Sequence, residues 1–69
     1  MEDNWLKVYS AGQLYQVELV KGILDQSGIE SVILNQSDSE FLLGEVELYV
    51  ETENFEMAKN LIYEFHKGE

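Results

Sequence analysis

Glu45-Val46-Glu47-Leu48-Tyr49-Val50-Glu51 is the stretch that decides the fold. Val46, Leu48 and Val50 fall on one side of an extended chain, and Glu45, Glu47, Tyr49 and Glu51 on the other. This strict period of two predicts a β-strand with one face on a core and one turned away from it. Its regularity suits a central position, paired on both sides.

Beyond this strand, Phe55, Ala58, Leu61, Ile62 and Phe65 recur at helical spacing, with Glu56, Lys59, Asn60 and Glu64 between them. Thr52 or Asn54 is the expected N-cap. His66 and Lys67 complement the negative end of the helix. Before the strand, residues 36–44 read as a loop and residues 29–35 as a further strand. An earlier helix carries Leu14, Val17, Val20, Ile23 and Leu24 on one side and ends at Ser27-Gly28. Gly28 is the expected left-handed cap, with Ile29 touching Leu24. Ser10 stands three residues before Gln13, which predicts a capping box, and Tyr9 and Leu14 a hydrophobic staple. Trp5-Leu6-Lys7-Val8-Tyr9-Ser10 alternates and reads as the first strand.

The order is strand–helix–strand–strand–helix, an α+β class, in one domain over residues 1–69. Each helix has one apolar side, so both are expected on the same face of the sheet. A right-handed crossover between the first two strands leaves room for the third between them. The predicted sheet order is 1-3-2, with the third strand antiparallel to both neighbours. This is the ferredoxin-like βαββα plan with its final strand missing. The outer edge of the first strand is then expected to be free, and open edges invite pairing. A dimer or higher oligomer, or a partner strand added there, is the expectation. The helix-free face is expected to carry Trp5, Lys7, Tyr9, Glu47 and Tyr49, with Ile33 joining them. Such a patch serves either as a contact surface or as cross-strand pairs stabilising a thin sheet.

Composition narrows the function. Fourteen acidic residues face four lysines, there is no arginine, and the formal net charge is −10. The basic stripe that holds nucleic acid is absent, so neither nucleic acid nor an anionic membrane is an expected partner. Without cysteine there is no disulfide or thiolate zinc site. His66 is the lone histidine, has no second imidazole to share a metal, and is expected at the surface. No apolar run approaches the ~20 residues that cross a bilayer, and the acidic N-terminus is unlike a signal peptide. The expected location is cytoplasmic. A domain this small usually needs support, and oligomerisation is the form left open.

Residues 36–44, Gln-Ser-Asp-Ser-Glu-Phe-Leu-Leu-Gly, are longer than an ordinary hairpin connection. Either Phe41 and Leu43 fold back onto the core, or Asp38, Phe41, Leu42 and Leu43 form a binding loop. Asp38 and Glu40 lack the spacing and central glycine of a calcium loop. Glu45 and Glu47 share a strand face, but paired acid–base carboxylates need a partly dry pocket. Ser10-Ala11-Gly12 reads as an ordinary cap rather than an anion site. No catalytic residue, metal or cofactor is expected.

Four segments carry a resemblance to a known family: Trp5-Leu6-Lys7-Val8-Tyr9, Leu24-Asp25-Gln26-Ser27-Gly28-Ile29-Glu30, Gly44-Glu45-Val46-Glu47-Leu48-Tyr49-Val50 and Glu56-Met57-Ala58-Lys59-Asn60-Leu61-Ile62. The chain resembles, over nearly its whole length, the small bacterial domain-of-unknown-function family described as putative prokaryotic signal-transducing proteins. That family is grouped by fold with the nitrogen-regulatory P-II signal proteins. The resemblance implies a ferredoxin-like, P-II-like domain, oligomerisation, and a signalling or ligand-sensing role. P-II proteins hold nucleotide phosphates with basic residues and glycine-rich turns, which this chain lacks, so nucleotide binding is not carried over. The 36–44 loop matches in position the loop those proteins use to touch partners. The expected function is a non-enzymatic regulatory domain acting by protein–protein interaction. The alternative is a small-ligand sensor whose pocket forms between subunits.

Overall fold

The computed structural model describes residues 4–35 and 46–67. The elements are β1 (Trp5–Ala11), α1 (Leu14–Gln26), β2 (Ser31–Asn35), β3 (Val46–Glu51), a single 3₁₀ turn (Thr52–Asn54) and α2 (Phe55–Lys67). The sheet order is β1-β3-β2, and β3 runs antiparallel to both neighbours. The chain therefore has the α+β, ferredoxin-like βαββα arrangement that its alternation predicts.

The core lies between the sheet and the helices. Val46, Leu48 and Val50 of β3 are buried against Val17, Val20 and Leu24 of α1 and Ala58 and Ile62 of α2. Fully burying a side chain such as Leu24 or Leu48 contributes roughly 1.5–3 kcal/mol. Phe55, Leu61 and Phe65 pack around this centre, so the apolar stripe of α2 points where its spacing requires. Leu14 and Ile23, expected on the same stripe of α1, lie at its margins; Leu14 is exposed.

The end of α1 follows its sequence closely. Gly28 has φ +81°, in the left-handed region that a Cβ disfavours. The Ile29 amide donates to the Leu24 carbonyl at 2.9 Å, and the Gly28 amide to the Asp25 carbonyl at 3.0 Å. This is a Schellman motif, and Ile29 and Leu24 are both buried beside it. β2 accordingly begins at Ser31, two residues later than its apolar run suggested, because Ile29 completes the cap. Ser31 is buried, and its hydroxyl finds no hydrogen-bond partner among the described residues.

The start of α1 differs from expectation. Ser10 and Ala11 continue β1, where Ser10 lies opposite Glu47 and Ala11 opposite Val46. The N-cap is Gln13, which makes no side-chain capping bond. The Ser10–Gln13 capping box therefore does not form, because pairing with β3 takes the backbone that a cap would use. At the other end of the sheet, the Thr52 amide donates to the Asn4 carbonyl at 2.7 Å, fastening the 3₁₀ turn to the residue before β1.

β1 contains one irregularity. Lys7 is opposite Tyr49, and Tyr9 is opposite Leu48, so Val8 is an extra residue. Such a bulge reverses the alternation of everything beyond it. Tyr9 therefore turns to the helix side of the sheet, where it packs against the core.

Candidate functional site

Among the described residues, no helix covers the other side of the sheet. Along β3 the residues pointing there are Glu47, Tyr49 and Glu51, the partly exposed positions between buried Val46, Leu48 and Val50. Pairing places Ser10, Lys7 and Trp5 of β1 opposite Glu47, Tyr49 and Glu51 respectively. On β2, Leu34 is opposite Glu47 and Val32 opposite Tyr49. The open face therefore has Tyr49 flanked by Lys7 and Val32, and Glu47 flanked by Ser10 and Leu34.

Its polar groups are coupled. The Tyr49 hydroxyl donates to Glu47 Oε1 at 3.0 Å, and Lys7 Nζ lies 3.6 Å from Glu47 Oε2. The Glu47 side chain is only 16% exposed, against 49% for Lys7. The Tyr49 hydroxyl is held above the usual tyrosine range, first by its hydrogen bond to Glu47, then by burial and the Glu47 charge; Lys7 acts in the opposite sense. Glu51 also borders a depression of about 350 Å³, lined by Asn4, Thr52 and Glu53 as well.

Trp5, Lys7, Glu47 and Tyr49 thus share the face on which their spacing places them. Two expectations are corrected. Tyr9 is on the opposite side, because the Val8 bulge inverts its phase. Ile33 is opposite Leu48 and packs on the core, so it too leaves the open face. Val32, Leu34 and Ser10 take these places, which their own spacing does not assign them, while Glu51 joins the face as the alternation of β3 requires. The adjacent apolar pair Val8-Tyr9 was the available signal, since unbroken alternation does not put two core-facing residues side by side. Asp38, Phe41, Leu42, Leu43 and Glu45 lie outside the described residues.

β1 and β2 are the two edges of the sheet among the described residues. The bulge in β1 makes that edge a poor template for an added strand, since bulges are one way sheets blunt their edges. On the helix side, Tyr9 and His66 stack at 5.5 Å with their rings 25° apart, and Phe65 meets His66 edge-on at 5.4 Å. His66 is exposed, as expected of a surface residue, yet it is engaged by both rings. No group of three or more His, Cys, Asp or Glu side chains that could hold a metal occurs among the described residues. No helix there is long and apolar enough to cross a membrane.

A family model described as "Putative prokaryotic signal transducing protein" matches residues 5–66. No curated protein and no solved structure matches the chain.

Proposed function

Since the chain belongs to the family described as putative prokaryotic signal transducing proteins, we propose that it is a non-catalytic signalling module of the cytoplasm that docks a partner protein through its open sheet face. The observation that carries this reading is the surface of Trp5, Val32, Leu34 and Tyr49 around the Lys7–Glu47 pair, which no described helix covers. Aromatic anchors beside partly buried charge are the features that concentrate binding energy at interfaces. The net charge of −10 favours a partner with a basic contact surface, which it would steer into encounter. The open face supports this role better than the β1 edge does, because the bulge interrupts that edge. Phe41, Leu42, Leu43 and Asp38 belong to the same proposal through their place between β2 and β3.

Crosslinking pull-downs from a native host provide the test. Tyr49→Ala and the charge reversal Lys7→Glu are expected to abolish recovery of a partner that wild type captures. Tyr63→Ala, on the exposed outer side of α2, is expected to leave recovery unchanged. Equal recovery with all three folded variants refutes the assignment of this face.

A further inference from the structure

Tyr9, Tyr15, Gln16, Leu19, Phe65 and His66 line a groove of about 270 Å³ on the helix side of the molecule. It lies where the start of α1, the end of α2 and the bulged part of β1 meet. We propose that this groove binds a small quaternary ammonium compound, with the methylated cation against the aromatic rings.

Four of the six lining side chains are aromatic rings, one is aliphatic and one a neutral amide. Ring faces carry partial negative charge and attract cations, and quaternary ammonium groups are the ligands best matched to such walls. The contacts of His66 with Tyr9 and with Phe65 hold three of the four rings in place before any ligand arrives, which lowers the cost of binding. Tyr15, 60% exposed, stands at the rim.

Charge selects among ligands. Lys7 is paired with Glu47, Lys21 with Asp25, and Lys59 lies over the Phe55 ring at 5.4 Å. Among the described residues no lysine lines the groove, so an anion would find no fixed positive side chain from them there and would be repelled by the chain's net charge of −10. Among the described residues no carboxylate lines it either. A primary ammonium carries N–H donors that need acceptors once water is removed, and among the described lining residues Gln16 and the phenol and imidazole groups are the sole side-chain polar partners. A quaternary nitrogen has no N–H to satisfy. The volume lies at the small end of ligand sites, which suits a head group rather than a larger molecule.

The test is an NMR titration of the whole chain with tetramethylammonium and with choline, at constant ionic strength. The control is 3,3-dimethylbutan-1-ol, in which carbon replaces the choline nitrogen and the shape is kept. Saturating shifts centred on Tyr9, Tyr15 and His66 are expected for both cations, with the neutral isostere about fivefold weaker. Tyr15→Leu keeps an apolar rim without the ring. It is expected to weaken the cations about three- to fivefold while leaving the isostere unchanged. Equal affinity for choline and its isostere, or shifts that never saturate, overturns the proposal. These outcomes are independent of the open face, which lies across the sheet.

Discussion

Glu47 places a carboxylate 3.0 Å from the Tyr49 hydroxyl and 3.6 Å from the Lys7 ammonium. Losing the Tyr49 proton would break the shorter contact and set a phenolate beside that carboxylate, which is why the folded protein holds this proton above the ordinary tyrosine range. The folded state thus keeps the proton at a pH where the unfolded chain has released it. This contribution to stability is intact below the unfolded value of about 10 and falls as pH rises from there through the folded value. Glu47→Ala removes the hydrogen bond and the charge together. Its Tyr49 midpoint, followed by carbon NMR of the phenol ring, is expected to drop toward about 10; an unmoved midpoint would mean that Glu47 is not its cause.

At the level of elements, β1 shows how one residue reassigns a surface. Lys7 and Tyr9 would share a face in a regular strand, yet Val8 separates them onto opposite sides of the sheet. The open face loses an aromatic, and the helix side gains the ring that stacks on His66. Deleting Val8 leaves Lys7 opposite Tyr49 and Tyr9 opposite Leu48, so the shortened strand pairs without interruption. The deletion variant is expected to fold and to keep the Tyr9–His66 stack. Its straightened edge is also expected to self-associate more than wild type in sedimentation velocity, because the device that blunts that edge is gone. Unchanged association would remove the protective role of the bulge. The βαββα order, the β3 alternation, the α2 stripe and the Gly28 cap could all be read from the chain, since each rests on spacing between near neighbours. The failed Ser10 cap and the inward turn of Ile33 could not, and the Val8 bulge shows in the chain only as the adjacent apolar pair Val8-Tyr9. Each depends on which residue of β3 stands opposite, and local spacing does not record that register. For the same reason Trp5, Lys7, Glu47, Tyr49 and Glu51 of the open face are legible in the sequence, and Ser10, Val32 and Leu34 follow only from the pairing.

For the molecule as a whole, a small core works against a large excess of negative charge. Val17, Val20, Leu24, Leu48 and Val50 are the fully buried large side chains among the described residues, while the chain carries a net charge of −10. Self-repulsion at that charge opposes compaction and is screened by salt. The melting temperature is expected to rise by about 5 °C between low and molar-range sodium chloride, equivalent to about 1 kcal/mol in a domain of this size. A flat or falling profile in a calorimetric salt series would show that repulsion is not a significant load. The placement of β3 between β1 and β2 also matters while the protein is being made. β1 leaves the ribosome early, but its hydrogen-bonding neighbour is the last of the described strands to emerge. At a synthesis rate of ~5–20 residues per second, β1 and α1 wait on the order of seconds without Val46, Leu48 and Val50 to close over. During that interval the apolar sides of β1 and α1 lack the strand that completes their core, and the sheet can close only once β3 has been added.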